Sequence, residues 1–459
     1  MTATAFCLHA LGSSSEEFAA LRAELSGTLD LVGIDLPGFG SSSAVTGTTV
    51  EEMAVLVERA IGTSGATEWA LVGHSMGGKV ASVVAGRTMS GANGLFGLRA
   101  VVLLAASPLS PEPMDEERRA TMLAWAADHE IGPDEAAEFV DANTAHRLAP
   151  EPYASAVHDV QRADRGAWTA WLLRSSREDW SDTIAPSPVP ALVLAGAEDG
   201  DLGPDAQREL NLPHWPQGEF DVVPGAAHLL PWEQPRGVAD RIRSFWERRV
   251  DHGPTVPTVS ARLIASPRVS ARTRAVLAAR ALPDDPAAQP RALSVAQLAT
   301  LRAVARVVVP QPDEHQVDLA LRVDAQLADG LGDGWRVDGL PADPDAYRAA
   351  LDALAPEAAV SDEHLAGVLD AVDDGSYSPV GGTTVGGAPV GGVLDAGQLR
   401  AWFKDAGVDL VKQWLAHPAT MAAIDYDGFA NGGDGVRKQG FQLLGAGQRE
   451  AWEPDGATP

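Results

Sequence analysis

The sequence predicts a mostly parallel α/β sheet covered by helices over residues 1–250, followed by an all-α domain over 292–459. Three observations predict it. Six short apolar runs alternate with amphipathic stretches as far as Arg249; beyond Ser294 the apolar residues recur at helical spacing instead. At 459 residues, the chain is too long for one ordinary core.

Thr4–His9, Leu29–Asp35, Trp69–Gly73, Ala100–Ala105, Ala191–Gly196 and Glu219–Val223 read as buried strands, several ending in Gly, Asp or His where a loop begins. Glu16–Leu25, Val50–Ile61, Met76–Arg87, Pro204–Leu210 and Pro235–Val250 read as the helices between them. Functional groups of such sheets gather at the carboxyl ends of the strands. The rhythm breaks over about 108–190, which holds helical segments with Trp125, Trp168, Trp171 and Trp180 but no convincing strand, and reads as an inserted helical cap. Trp125 and Trp171 are candidates to line an apolar substrate pocket, although packing onto the sheet is the more economical role for most of the four.

Residues 251–291 are rich in Pro, Ala and Arg and read as a linker with one short helix near Ser270–Leu282. Ser294-Val-Ala-Gln297 then fits a capping box, with Leu298, Leu301, Val304 and Val308 following before Pro310. Further helices are expected at Gln316–Leu327, Asp345–Leu354, Ser361–Val372 and Asp395–His417.

The formal net charge of −28 argues against nucleic acid and anionic membranes as partners, and solubility explains it more simply than steering does. Cys7 is the only cysteine, which excludes an internal disulfide and thiolate zinc clusters; in the run Ala5-Phe-Cys-Leu8 it reads as a small buried hydrophobe. No basic leader and no stretch of 18 apolar residues is evident, so a cytoplasmic protein without metal or cofactor is expected.

Gly73-His-Ser-Met-Gly77 lies between the run Trp69–Val72 and a helix-like stretch, which puts Ser75 at the tip of a strand-turn-helix. A serine hydroxyl is a weak nucleophile at neutral pH and needs a base with an orienting acid. His228 follows the strand Phe220–Val223 and the turn Pro224-Gly-Ala-Ala227. Asp199, in Gly196-Ala-Glu-Asp-Gly200, stands past the preceding strand, with Glu198 and Asp201 as neighbours of similar reach.

The order Ser75, Asp199, His228 resembles the α/β-hydrolase family over residues 1–250. His9-Ala-Leu-Gly12 after the first strand and Asp35-Leu-Pro-Gly-Phe-Gly40 after the second strengthen the match. The resemblance implies oxyanion donors at the Met76 and Leu11 N–H groups, with His9 and Gly12 shaping the loop; His9, Gly12 and His74 are assigned to the substrate side of the same site. One departure stands out: the oxyanion strand begins at about residue 4, so the N-terminal hairpin usual in the family is expected to be absent. The strand Leu29–Asp35 should then be a sheet edge, covered by the second domain or a partner chain.

The second domain shows no catalytic constellation. Gly330–Trp335 lacks the glycine spacing of a nucleotide loop, and the pairs at Gly381, Gly386 and Gly391 lack the Lys-Ser/Thr of a phosphate loop. The acids of Asp370–Asp374 and Asp425-Tyr-Asp427 lack calcium-loop spacing. The run Leu293–Pro310, with Trp402-Phe403 and Asp425–Asn431, resembles the gluconate 2-dehydrogenase subunit 3 family over roughly 290–455. That resemblance implies a cofactor-free subunit docking a flavin-dependent oxidoreductase, though the family's usual twin-arginine signal is not present.

Two functional expectations follow. One is a serine hydrolase of an ester, thioester or lactone that works through an acyl-enzyme and docks a flavoprotein. The other is a non-catalytic accessory subunit or scaffold of a flavoprotein dehydrogenase complex. Serine at the elbow argues against the chemistries that need a carboxylate nucleophile there.

Overall fold

The computed structural model describes residues 3–266, 269–312, 316–331, 339–377, 384–385, 388–389 and 394–424. They fall into two compact units, one within Met1–Ala279 and the other within Arg280–Gly428.

In the first unit, β1 (Ala3–Leu8), β2 (Leu29–Ile34), β3 (Trp69–His74), β4 (Leu98–Leu104), β5 (Ala191–Gly196) and β6 (Gly218–Val223) form one parallel sheet in the order β2-β1-β3-β4-β5-β6. Its helices are α1 (Ala19–Glu24), α2 (Val50–Ser64), α3 (Met76–Met89), four cap helices, the short α8 (Pro204–Ala206) and α9 (Leu230–Glu233), and α10 (Pro235–Phe245). The cap, inserted between β4 and β5, holds α4 (Glu116–Trp125), α5 (Pro133–Ala142), α6 (Pro150–Gln161) and α7 (Arg165–Leu173).

Strands buried on both faces must be apolar throughout, and alternate side chains serve opposite layers. Phe6 and Leu8 pack on one face with Met53 and Val57 of α2 and Val80 and Val84 of α3. Ala5 and Cys7 pack on the other with Leu21 of α1 and Ile242 and Phe245 of α10. Burial pushes the Cys7 thiol well above its ordinary pKa, so it is an inert hydrophobe there. The α2 helix starts on a capping box, in which Thr49 Oγ1 accepts from the Glu52 N–H at 3.2 Å and Glu52 Oε2 accepts from the Thr49 N–H at 3.0 Å.

β2 is an edge strand, as β6 is at the other end, and no strand pairs with its outer side among the described residues. Arg22 Nε donates to the Leu31 carbonyl there at 3.0 Å, and Val32 is 39% exposed.

The segment read as a linker is more ordered than expected. It carries two helices, α11 (Thr258–Ala265) and α12 (Ala271–Ala281), and buries Ala261, Ile264 and Leu277. Pro257 precedes α11 as its N-cap, so proline brackets that helix instead of breaking it.

The second unit is helical: α13 (Val295–Val308), α14 (Leu319–Ala328), α15 (Asp343–Ala358), α16 (Asp362–Asp374), α17 (Ala396–Leu415) and α18 (Pro418–Ala423). Leu301, Val304, Leu354, Leu369, Trp402 and Leu410 build its core. The expected Ser294–Gln297 capping box opens α13, and an equivalent Asp395–Gln398 box opens α17. One helix runs further than expected. α15 runs on through Pro356, and α17 is one 20-residue helix; a two-residue antiparallel pair, β7 (Thr384–Val385) with β8 (Ala388–Pro389), lies where the glycine pairs suggest a loop or hairpin. Gly332–Trp335, the glycine pairs starting at Gly381, Gly386 and Gly391, and Asp425–Asn431 lie outside the described residues.

Candidate active site

The first unit's site starts from a backbone constraint. Between β3 and α3 the chain turns within one residue, and Ser75 adopts φ +48°, ψ −117°. A non-glycine residue there carries about 1–3 kcal/mol of strain, which surrounding bonds must hold. The Ser75 N–H donates to the Leu104 carbonyl at 3.0 Å, and its own carbonyl accepts from Gly78 at 2.8 Å and Ser107 at 2.9 Å. Glycine is required on both sides of the turn. A Cβ on Gly73 would lie 2.6 Å from the Gly77 carbonyl oxygen, and one on Gly77 would collide with the Leu8 carbonyl of β1. Ala105, just past β4, also has positive φ (+39°), and its N–H donates to Leu194 at 2.8 Å. Nothing in its sequence context marks it.

The turn aims Ser75 at His228. Ser75 Oγ lies 2.8 Å from His228 Nε2, and His228 Nδ1 lies 2.9 Å from Asp199 Oδ2. Of the three candidate acids, Asp199 alone meets the histidine: Glu198 is exposed, and Asp201 faces Arg118 at 3.4 Å. The cap holds the histidine loop from above. The Asn143 carbonyl, at the C-terminal end of α5, accepts from the His228 and Leu229 N–H groups at 3.1 and 3.2 Å. Burial disfavours the His228 imidazolium, but the charge and hydrogen bond of Asp199, with the charge of Glu112, outweigh it and the pKa is raised overall. Burial likewise opposes the Asp199 charge, yet its histidine partner and hydrogen bonds hold that carboxyl below its ordinary pKa.

Met76 and Leu11, the expected oxyanion donors, have N–H groups with no acceptor among the described residues. Leu11 lines the cavity over Ser75. Gly12 adopts φ +69°, and a Cβ there would sit 2.8 Å from the Trp168 ring, so it shapes the loop but does not line the cavity.

Three other residues assigned to the substrate lie elsewhere. His9 is fully buried: its Nδ1–H donates to the Ala10 carbonyl at 2.7 Å, and its Nε2 accepts from the Leu36 N–H at 2.9 Å. Burial lowers its pKa, which keeps the ring neutral, and its carbonyl accepts from Gly77 at 3.1 Å, tying the first loop to the elbow. His74 points beneath the sheet. Its Nδ1 meets the fully buried Glu17 at 2.9 Å and its Nε2–H donates to the His228 carbonyl at 2.8 Å. Trp125, near the end of α4, packs on the core away from the cavity. Trp171 does line it. Sequence reasoning missed the polar groups the cap region adds, Glu112, Arg118 and Asn143, which belong to no motif. No group of three or more His, Cys, Asp or Glu suited to a metal ion occurs among the described residues.

The model of the alpha/beta hydrolase family matches residues 5–241. The chain belongs to the α/β-hydrolase family. This α/β-hydrolase is 26% identical over 251 residues to 2-succinyl-6-hydroxy-2,4-cyclohexadiene-1-carboxylate synthase of Serratia proteamaculans, covering 52% of this chain and 91% of that protein. It is 36% identical over 83 residues to the dihydrolipoyllysine-residue acetyltransferase component of the acetoin cleaving system of Cupriavidus necator, covering 18% of this chain and 22% of that protein. Among solved structures, an esterase from Exiguobacterium antarcticum is similar at 17% identity and TM-score 0.48, covering 53% of this chain and 92% of that one. The enol-lactonase from Burkholderia xenovorans is similar at 20% identity and TM-score 0.46, covering 54% and 92%.

Proposed function

We propose that the chain is a serine hydrolase of esters, thioesters or lactones. The observation that carries this reading is the continuous chain from Ser75 through His228 to Asp199, opening into a cavity. His228 Nε2 takes the Ser75 proton as Oγ bonds to the substrate carbonyl carbon, and the Leu11 and Met76 N–H groups receive the developing oxyanion. His228 then protonates the departing alcohol, thiol or ring oxygen, leaving an acyl-enzyme. Water delivers its hydroxyl to the acyl carbon and its proton to His228, which returns a proton to Ser75 as the acid leaves.

The test is hydrolysis of short-chain chromogenic esters across pH. The base must be neutral, so activity is full above the His228 pKa and falls below it. Because that pKa is raised, the acid limb of kcat/KM should have its midpoint above the ordinary histidine value of about 6.5. A limb at or below that value counts against His228 as the base.

We also propose that the second unit docks a flavin-dependent oxidoreductase, whose product, such as a lactone, this site would hydrolyse beside its source. The resemblance of residues 290–455 supports this, as do Val408, Val411 and Leu415, left exposed on α17. Co-purification with a flavin-absorbing partner is the expected result, and a strictly homomeric protein from native extract counts against it. The reading as a non-catalytic accessory subunit leaves the Ser75–His228–Asp199 geometry without a use. No described helix is long and apolar enough to cross a membrane, in keeping with the cytoplasmic location proposed here.

A further inference from the structure

The cavity over Ser75 is lined by three carboxylates, Glu112, Asp199 and Asp201, and one guanidinium, Arg118. Two of the carboxylates have ionisable partners. Asp199 holds His228 at 2.9 Å, and Asp201 lies 3.4 Å from Arg118 Nη1. Arg118 is occupied further, since its Nη2 donates to Asn143 Oδ1 at 2.5 Å.

Glu112 is different. Its Oε2 accepts from the Ser107 hydroxyl, and its Oε1 has no donor among the described residues. No ion pair reaches it there; it feels the charges of His228, Lys79 and Arg119 at a distance, His228 being bonded to Asp199 and the other two directed elsewhere. Lys79 Nζ donates to the carbonyls of Ser110, Ser176 and Glu178 at 3.0, 3.1 and 2.8 Å. Arg119 donates to the Leu172 carbonyl, to Ser176 Oγ at 3.0 Å and to Glu116 at 3.2 Å. Glu112 is also held in place. Its N–H donates to the Ser176 carbonyl at 2.8 Å, and Ser107, which donates to its side chain, donates its own N–H to the Ser75 carbonyl at 2.9 Å. A carboxylate is thus fixed one residue's contact from the proposed nucleophile, with one oxygen free.

We propose that Glu112 is a specificity-determining residue: it recognises a hydrogen-bond-donating group, an ammonium or a hydroxyl, on the substrate near the scissile carbonyl. The inference rests on the serine-hydrolase reading and narrows its substrate class. A partly buried carboxylate without a cation in contact is costly, and a donor from the substrate offsets that cost on binding. Burial indeed pushes the Glu112 carboxyl above its ordinary pKa. A substrate with a second carboxylate at this position would add like-charge repulsion and is disfavoured.

The test is a matched series of para-nitrophenyl esters whose acyl chains end in ammonium, hydroxyl, methyl or carboxylate. In the unaltered protein, kcat/KM for the ammonium and hydroxyl esters should exceed that of the methyl ester roughly ten- to a hundredfold, the range for a hydrogen bond to a charged group. The carboxylate ester should be the slowest. Glu112→Leu should collapse both preferences, whereas Glu112→Gln keeps an acceptor and should retain the hydroxyl preference while losing the ammonium one. The wild-type ratios need no variant to fold. A methyl or carboxylate ester that is hydrolysed as fast as the donor esters overturns the inference. So does a uniform drop of all esters in Glu112→Gln, with no change in their ratios, which would mean that Glu112 acts only through His228, whose pKa its charge helps to raise. Labelling of Ser75 by a fluorophosphonate without turnover of any donor ester also overturns it, and leaves the serine reading standing. No labelling and no turnover sinks both.

Discussion

Replacing Ser75 with alanine is expected to lower kcat/KM for a short-chain ester by about 10⁴- to 10⁶-fold, the range seen when a nucleophile acting as one unit with its base is removed. Alanine and serine bear the same Cβ, so the +48° φ strain at position 75 is unchanged by the substitution. The bonds that hold the turn are all backbone, from Leu104, Gly78 and Ser107. Only the 2.8 Å hydrogen bond to His228 is lost, a stability change of about 0.5–1.5 kcal/mol. A folded, inactive protein is therefore the expected outcome, read by parallel thermal unfolding and ester assays. Adding His228→Ala to Ser75→Ala should cost little more, because the two act together. A Ser75→Ala protein that keeps more than about a hundredth of the wild-type rate would remove Ser75 from the chemistry, since general-base assistance to water alone is worth about 10²–10⁴.

What the sequence made legible follows from how each residue is held. The strands were readable because a sheet buried on both faces has to be an apolar run. Ser75, Asp199 and His228 were readable because each ends or follows such a run, where backbone topology alone sets its place. His9 and His74 were misplaced for a related reason: position along a strand does not tell which layer a side chain enters. His74 turns toward Glu17, and a glutamate in the first turn of the helix expected over Glu16–Leu25 reads as solvated, yet Glu17 is fully buried. The cap resisted reading because its helices are oriented by tertiary contacts that leave no periodic mark. The Trp168 ring lies against Gly12, and the Asn143 carbonyl clasps the His228 loop. Trp171 and Trp125 share a residue type, but the first lies on the buried face of α7 with Ala167 and Trp168, whereas the second sits at the end of α4. Prolines at 254 and 257 suggested a linker, though a proline just before a helix is compatible with it.

Asp199→Asn should lower kcat by about 10⁴-fold while leaving the fold intact, because it changes which nitrogen of His228 carries the proton. A carboxylate only accepts, so Nδ1 must be the N–H nitrogen and Nε2 is left as the acceptor for the Ser75 hydroxyl. An asparagine amide can donate to Nδ1 instead, which puts the proton on Nε2, facing the hydroxyl it should accept from. The residual activity should carry a second signature. Among the influences on His228, burial lowers its pKa and Asp199 is the leading influence that raises it. Without that charge the acid limb should move to lower pH, so the variant loses rate but keeps what remains further into acid. Glu198→Gln is the matched control: Glu198 is exposed and makes no contact with His228, so both rate and limb should stay at wild-type values. If Asp199→Asn loses rate with an unmoved limb, the carboxylate orients the ring without setting its basicity. If Glu198→Gln moves the limb, the acid has been assigned to the wrong neighbour.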